Sequence, residues 1–365
     1  MSLTGTPFFL LTIAVLVLTT ALMVWAWNRV PGPTAARYAA RTGLTLLSQL
    51  AAVAVVLVWL NNSMGPFYES WGDLLGSETA VQLNTNAGHG GGTDSTSGRH
   101  PDQRLDFHTY SAGVYRTVAL GERSGIKGSL YIWLPPQYHD PAWAGVRFPV
   151  VELLPGTPGT PQAWFGTMRV QHELAELIDH GQAQPMILVS AKLNVLGGNT
   201  DAGCTDLPSG VRTATWLAKD VPDLVRKSFR ASADPRRWGV MGYSAGGYCA
   251  VNLTVQHPES FRSAVSLSGY NAPESPLVLR DPRLARANNP YLALRDARSQ
   301  PPIALLLAGS LQDRGTVPDA RQLFGVLRDK SASQVLTVPK GGHSPEVWRA
   351  MLPASLVWLS NRVAG

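Results

Sequence analysis

The sequence predicts an α/β fold, a mainly parallel sheet flanked by helices, preceded by two transmembrane helices and a flexible linker. Three observations predict it. Beyond about residue 111, short apolar runs alternate with amphipathic stretches, the succession that strands and helices leave in a sequence. Two long uncharged runs open the chain, and a Gly- and Ser-rich stretch separates them from the alternating part. The parts are residues 1–62 as a membrane anchor, 63–110 as an interfacial segment and linker, and 111–365 as a globular domain large enough for one buried core.

The first apolar run, Pro7 to Trp27, holds 21 residues without a charge. At about 1.5 Å per residue it spans a hydrocarbon core about 30 Å thick. A cleaved signal peptide would carry a basic N-terminal region, and no Lys or Arg occurs in the first 28 residues. The second run, Gly43 to Leu60, is 18 residues long, enough to span. Between the runs lie Arg29, Arg37 and Arg41 with no acidic residue, whereas the first charges beyond Leu60 are Glu69, Asp73 and Glu78. The positive-inside rule then puts the connecting loop in the cytoplasm and the globular domain on the extracytoplasmic side of the cell membrane. Membrane lipids are the expected partners of the anchor.

The stretch from Met64 to Trp71 is aromatic enough to rest at a membrane interface. Asn84 to Arg104 is too polar and Gly-rich to offset its ordering entropy by burial, and it reads as a tether. His89 and His100 lie in it without a cysteine or carboxylate cluster, so no metal site is expected there.

In the globular part, Val114–Leu120 and Lys127–Leu134 read as a strand hairpin. A helix over Gln171–His180, a strand over Met186–Ser190 and a helix over Val211–Phe229 follow. Arg237–Met241 reads as a strand and Gly247–Leu253 as a helix, and the pentapeptide Gly242-Tyr243-Ser244-Ala245-Gly246 joins them. A serine on so sharp a strand-to-helix turn is the nucleophile elbow of α/β-hydrolases, with glycines where a Cβ would strike a neighbouring element. Ser244 is the candidate nucleophile.

A serine hydroxyl needs a base in reach and an acid to hold that base, and in this fold they follow the serine in the order acid, then histidine. The strand-like run Ile303–Ala308 leads to Asp313, the candidate acid; Asp319 lies close enough to compete, and Asp281 is a more distant option. A helix from Pro318 to Lys330 and a strand, Gln334–Val338, lead to Gly341-Gly342-His343-Ser344. Of eight histidines only His257 and His343 follow Ser244, and His257 lies on the elbow's own helix, so His343 is the candidate base. The oxyanion donors are expected to be the amides of Ala245, next to the nucleophile, and of Thr157, in the loop after the strand Phe148–Leu154.

The chain has two cysteines, Cys204 and Cys249. Outside the membrane an even pair tends to form a disulfide; two buried free thiols are the alternative. The net charge is +6, but the arginines are scattered and no nucleic-acid module occurs, so no nucleic-acid partner is expected. No Walker, Rossmann or zinc signature is present, and no cofactor is expected.

Five stretches carry a family resemblance: Leu154-Pro155-Gly156; Thr215-Trp216-Leu217-Ala218-Lys219-Asp220-Val221-Pro222; Gln256-His257-Pro258-Glu259-Ser260-Phe261; Ser266-Leu267-Ser268-Gly269; and Gly342-His343-Ser344-Pro345-Glu346-Val347-Trp348. From about Val114 to Trp358 the chain resembles the esterase family of α/β-hydrolases that includes esterase D and the antigen 85 mycolyltransferases. The resemblance implies an α/β-hydrolase core acting on carboxylic esters, with Ser244, Asp313 and His343 in the triad and Thr157 and Ala245 as oxyanion donors. Where antigen 85 has a glutamate, the matching loop offers Asp313. The charged residues with which antigen 85 holds trehalose find no counterpart in Gly159–Trp164. The expected function is a membrane-anchored, extracytoplasmic serine esterase acting on a lipid or lipid-linked ester of the envelope, such as an aminoacylated phospholipid or an acylated glycolipid. An acyltransferase of the antigen 85 type and a non-catalytic binding protein are the alternatives.

Overall fold

A computed structural model describes residues 6–63, 105–111, 113–196 and 200–364. The chain divides into two compact units, residues 1–79 and 80–365. The expected interfacial segment and the tether with His89 and His100 lie outside the described residues.

In the first unit, α1 (Thr6–Ala26) and α2 (Thr34–Ser63) pair as an antiparallel hairpin. The Thr20 and Ser48 hydroxyls share a hydrogen bond of 2.9 Å, and the Thr45 hydroxyl donates to Met23 Sδ, so these side chains meet between the two helices. Leu10, Leu18, Val24, Leu50 and Leu57 point outward and are exposed. Both helices are long and apolar enough to cross a membrane. One expectation changes: Arg37 and Arg41 are not in a loop but on the first turns of α2. The run Ala35-Ala36-Arg37-Tyr38-Ala39-Ala40 is rich in alanine, the strongest helix former, and it extends the helix back to Thr34. Arg41 turns back, donating through Nε to the Trp27 carbonyl.

The second unit is built on a nine-stranded sheet in the order β1-β2-β3-β5-β4-β6-β7-β8-β9. The strands are β1 (His108–Ser111), β2 (Val114–Leu120), β3 (Lys127–Trp133), β4 (Val150–Leu154), β5 (Ile187–Ala191), β6 (Trp238–Tyr243), β7 (Ser263–Leu267), β8 (Ala304–Ser310) and β9 (Gln334–Val338). From β5 through β4 to β9 every pairing is parallel, whereas β1, β2 and β3 join antiparallel at one edge. The parallel strands β4 to β8 are buried along their whole length, as a sheet covered on both faces requires. All of the expected catalytic loops therefore leave the sheet at one end.

The main helices are α3 (Val170–Asp179), α4 (Val221–Ser228), α5 (Ala245–Gln256), α6 (Thr316–Val326) and α7 (Pro345–Val363). Two apolar layers cover the sheet. One packs α4, α5 and α6 against Val150, Leu154, Val240, Ala264 and Leu305. The other packs α3 and α7 against Val151, Leu153, Met241, Val265 and Leu306.

The expected helix from Val211 to Phe229 is broken. A π-turn occupies Trp216–Asp220, and α4 starts only at Val221. Pro222 has no N–H for the helix ladder, so the chain widens before it and restarts with the proline in the first turn. The turn directs the Asp220 carboxylate to the hairpin between β2 and β3, where it accepts from the Arg123 and Ser124 amides at 3.0 and 2.9 Å. The expected linker end at residue 110 also changes, because β1 already belongs to the sheet. Its four residues are all exposed and lack the alternation that marks a half-buried strand.

One core residue breaks the apolar pattern. Glu152 on β4 is fully buried, and neither carboxylate oxygen has a hydrogen-bond partner among the described residues. Burial holds its carboxyl well above the usual carboxylate range.

Candidate active site

The tight turn after β6 sets the position of Ser244. Its φ of 55° and ψ of −124° lie where non-glycine residues are rarely found, and such a conformation costs roughly 1–3 kcal/mol. Neighbouring contacts over-determine it. A Cβ on Gly242 would fall 2.0 Å from the Gly246 carbonyl oxygen, and one on Gly246 would fall 2.2 Å from that of Leu154. The Ser244 amide donates to Leu267 at the end of β7 at 2.9 Å, and the Ser244 carbonyl accepts from Gly247 and Tyr248 in the first turn of α5.

Three chain segments then meet. His343 Nε2 lies 2.9 Å from Ser244 Oγ, and His343 Nδ1 lies 2.9 Å from Asp313 Oδ2. The Asp313 side chain is 8% exposed and the His343 side chain 44%, so the acid is shielded while the base opens to solvent. With the imidazole neutral, the carboxylate fixes the proton on Nδ1 and leaves Nε2 to accept from the serine hydroxyl.

The acid and base loops are fastened to one another. Ser310 Oγ donates to the Gly341 carbonyl, and the Gly341 amide donates to Gln312 Oε1 at 2.9 Å. The Leu311 amide donates to the Val338 carbonyl at 3.0 Å. Behind His343, Trp348 meets the imidazole perpendicularly at 5.1 Å between ring centres and stacks on Tyr243 at 4.4 Å; Tyr243 in turn packs on Trp164 at 5.1 Å. Sequence reasoning missed Ser310 and Gln312 as members of the site, because their partner Gly341 lies about 30 residues further along the chain, and it gave Trp348 no role in the site although His343 is five residues away.

The competing acids take other positions. Asp319 lies in the first turn of α6 beside Asn271, whose amide group donates to the Asp319 carbonyl and to Gln322. Burial raises its carboxyl, partly countered by the Asn271 backbone amide. Asp281 caps the helix Pro282–Ala287 by accepting from the Arg283 and Leu284 amides. Of the three, Asp313 is the one bonded to His343.

The loop Pro155–Gly159 runs against the nucleophile: a Cβ on Gly156 would stand 3.2 Å from Ser244 Cβ. This places the expected amides of Thr157 and Ala245 in segments that flank Ser244. Ala245 opens α5, so its N–H has no acceptor within the helix. Cys204 and Cys249 form the disulfide expected from the sequence, which ties the loop after β5 to the elbow helix. Ser275 Oγ also holds that loop, donating to the Asp201 carbonyl at 2.7 Å. Among the described residues no group of three or more His, Cys, Asp or Glu is placed to hold a metal ion.

Residues 122–359 match the sequence profile of the family described as Putative esterase. An uncharacterised protein of Corynebacterium glutamicum is 28% identical over 247 residues, 64% of this chain. The match spans 57% of that relative's length. A solved ferulic acid esterase superposes with a TM-score of 0.59 at 21% identity, over 68% of this chain and 97% of that one. An S-formylglutathione hydrolase from Agrobacterium tumefaciens gives 0.58 at 15% identity, over 71% and 99%. The fluorophosphonate-binding serine hydrolase F of Staphylococcus aureus gives 0.54 at 17% identity, over 68% and 98%. At these identities the superpositions show a shared fold.

Proposed function

This chain belongs to the putative esterase family, and from that premise we propose that it is a membrane-anchored serine esterase with Ser244, His343 and Asp313 as its catalytic residues. The observation that carries the assignment is the continuous hydrogen-bonded path from Asp313 through His343 to Ser244 Oγ. His343 takes the serine proton as Ser244 Oγ attacks the ester carbonyl, and Asp313 stabilises the imidazolium that forms. The Thr157 and Ala245 amides hold the oxyanion of the tetrahedral intermediate. His343 then protonates the leaving alcohol as the C–O bond breaks, leaving an acyl-serine. Water attacks that ester with His343 again as base, releasing the acid and restoring the hydroxyl.

The substrate proposed is a lipid or lipid-linked ester of the cell envelope, such as an aminoacylated phospholipid or an acylated glycolipid. Two features support it. The hairpin of α1 and α2 would hold the enzyme at a bilayer, and an apolar side chain, Leu311, is 59% exposed two residues from Asp313. Arg29, Arg37 and Arg41 around the turn of the hairpin favour a cytoplasmic turn and an extracytoplasmic catalytic unit. The Cys204–Cys249 disulfide suits an oxidising compartment.

An acyltransferase is the second reading, since the exposed His343 can activate a bound alcohol as well as water. Turnover of a vesicle-borne ester by the full chain, set against a short-chain soluble ester of the same acyl group, tests the substrate class. Preference for the vesicle-borne ester supports it, and equal turnover of both argues against it. Products separated in the presence of glycerol or a sugar distinguish transfer from hydrolysis.

A further inference from the structure

The loop proposed to supply the Thr157 oxyanion donor is held from outside by one side chain. Thr157 Oγ1 donates to Asn194 Oδ1 at 3.0 Å, and Asn194 Nδ2 donates to the Gly159 carbonyl at 2.9 Å. The orientation of the amide follows from chemistry: a carbonyl oxygen only accepts, so Nδ2 faces Gly159 and Oδ1 is left for the Thr157 hydroxyl. A single amide thus bridges both limbs of the turn that follows β4.

Asn194 is itself fixed. It sits just beyond β5, between Leu193 and Val195, which are 2% and 1% exposed. The Val195 amide donates to the Leu193 carbonyl at 2.9 Å across it. Two residues before Asn194, Lys192 donates through its amide to the Ser129 carbonyl at 3.1 Å and accepts through its carbonyl from the buried Trp216 indole at 3.0 Å. The turn that presents Asn194 is therefore anchored to β3 and to the π-turn before α4.

We infer that Asn194 is a positioning residue for acyl transfer, the clamp that keeps the Thr157 amide aimed at the oxyanion. The inference rests on the serine-esterase reading above. An oxyanion hole works because its donors are already in place when charge develops, so a donor whose loop relaxes loses much of its effect. The Thr157 hydroxyl and the Thr157 amide then have separate tasks: the hydroxyl locks the loop and the amide meets the substrate.

The separation makes the test specific. In the full chain, Asn194→Ala and Thr157→Val each lower kcat for an ester by roughly ten- to a hundredfold with KM nearly unchanged, short of the ~10²–10³ lost when a donor is removed outright. The double variant is no worse than Asn194→Ala alone, because that substitution already removes the one hydrogen bond that Thr157→Val breaks. Thr157→Ser, which keeps the hydroxyl, stays within a few-fold of wild type. The rate of labelling by a fluorophosphonate falls in parallel, since the phosphonyl oxygen enters the same hole, while the shape of the pH–rate profile does not move. Labelling and kcat of both Asn194→Ala and Thr157→Val within twofold of wild type would overturn the inference, and so would a loss confined to KM. If Asn194→Ala fails to fold, Thr157→Val and Thr157→Ser decide it alone. A folded wild type that takes no label overturns the serine-esterase reading, and this inference with it.

Discussion

The hydroxyl of Ser310, fully buried at the end of β8, donates its hydrogen bond to the carbonyl of Gly341, two residues before His343. The acid loop and the base loop are joined by this bond before either reaches the serine. Ser310→Ala leaves the Gly341 carbonyl without that partner, and the expected cost is about 1–3 kcal/mol of stability. It also loosens the spacing of Asp313 and His343, lowering kcat by roughly tenfold or more. Urea denaturation and steady-state kinetics on the same preparation measure both. An unchanged kcat would mean the loops hold their spacing without it.

Asp313→Asn removes the acceptor that fixes the His343 tautomer, and kcat should fall by roughly 10⁴ with binding little changed. Asp319→Asn alters a residue on α6 that faces Asn271 and should leave kcat within a few-fold of wild type. The reverse ranking would move the acid to Asp319.

Glu152 predicts a pH dependence of stability. Its folded carboxyl is held above its unfolded value by burial. Below the unfolded value, about 4.3, both states are protonated and nothing is lost. As pH rises past it the unfolded chain releases the proton and the folded chain does not, so wild-type stability falls by about 1.4 kcal/mol per pH unit until the folded carboxyl ionises. Glu152→Leu removes this slope. Its stability advantage over wild type should therefore grow from pH 4 to pH 7, and a constant difference would show that the carboxylate has a partner in solution.

The disulfide closes a loop of 45 residues between two buried positions. In the chain-entropy account, replacing both cysteines by serine costs about 3–4 kcal/mol. Reductant should lower the thermal midpoint of the wild type to that of the variant. A wild type whose midpoint ignores reductant would be carrying free thiols.

What the sequence made legible were the features that repeat a local rule. The strand, the glycines and the helix around Ser244 lie within a few residues of one another, and β9 falls on Gln334–Val338 as the apolar run predicts. The order of acid and base along the chain was enough to choose His343 from eight histidines, whereas it left Asp313 in competition with Asp319 until the fold bonded Asp313 to His343. The features that were not legible depend on partners distant in sequence. β1 has no buried face to impose an alternation, so its four exposed residues read as linker. The π-turn at Trp216–Asp220 answers to Pro222 and to the hairpin that Asp220 caps, 96 residues away. Asn194 resembled any polar loop residue until the fold placed it against Thr157 and Gly159, and Ser310 looked like the end of a strand.

Fluorophosphonate labelling of the full-length protein in its membrane, comparing wild type with Ser244→Ala and His343→Ala, tests the central claim most directly. The triad geometry predicts labelled wild type, no label on Ser244→Ala and slow labelling of His343→Ala. A folded, membrane-inserted wild type that stays unlabelled would contradict the catalytic assignment and leave a hydrolase-fold binding protein in its place.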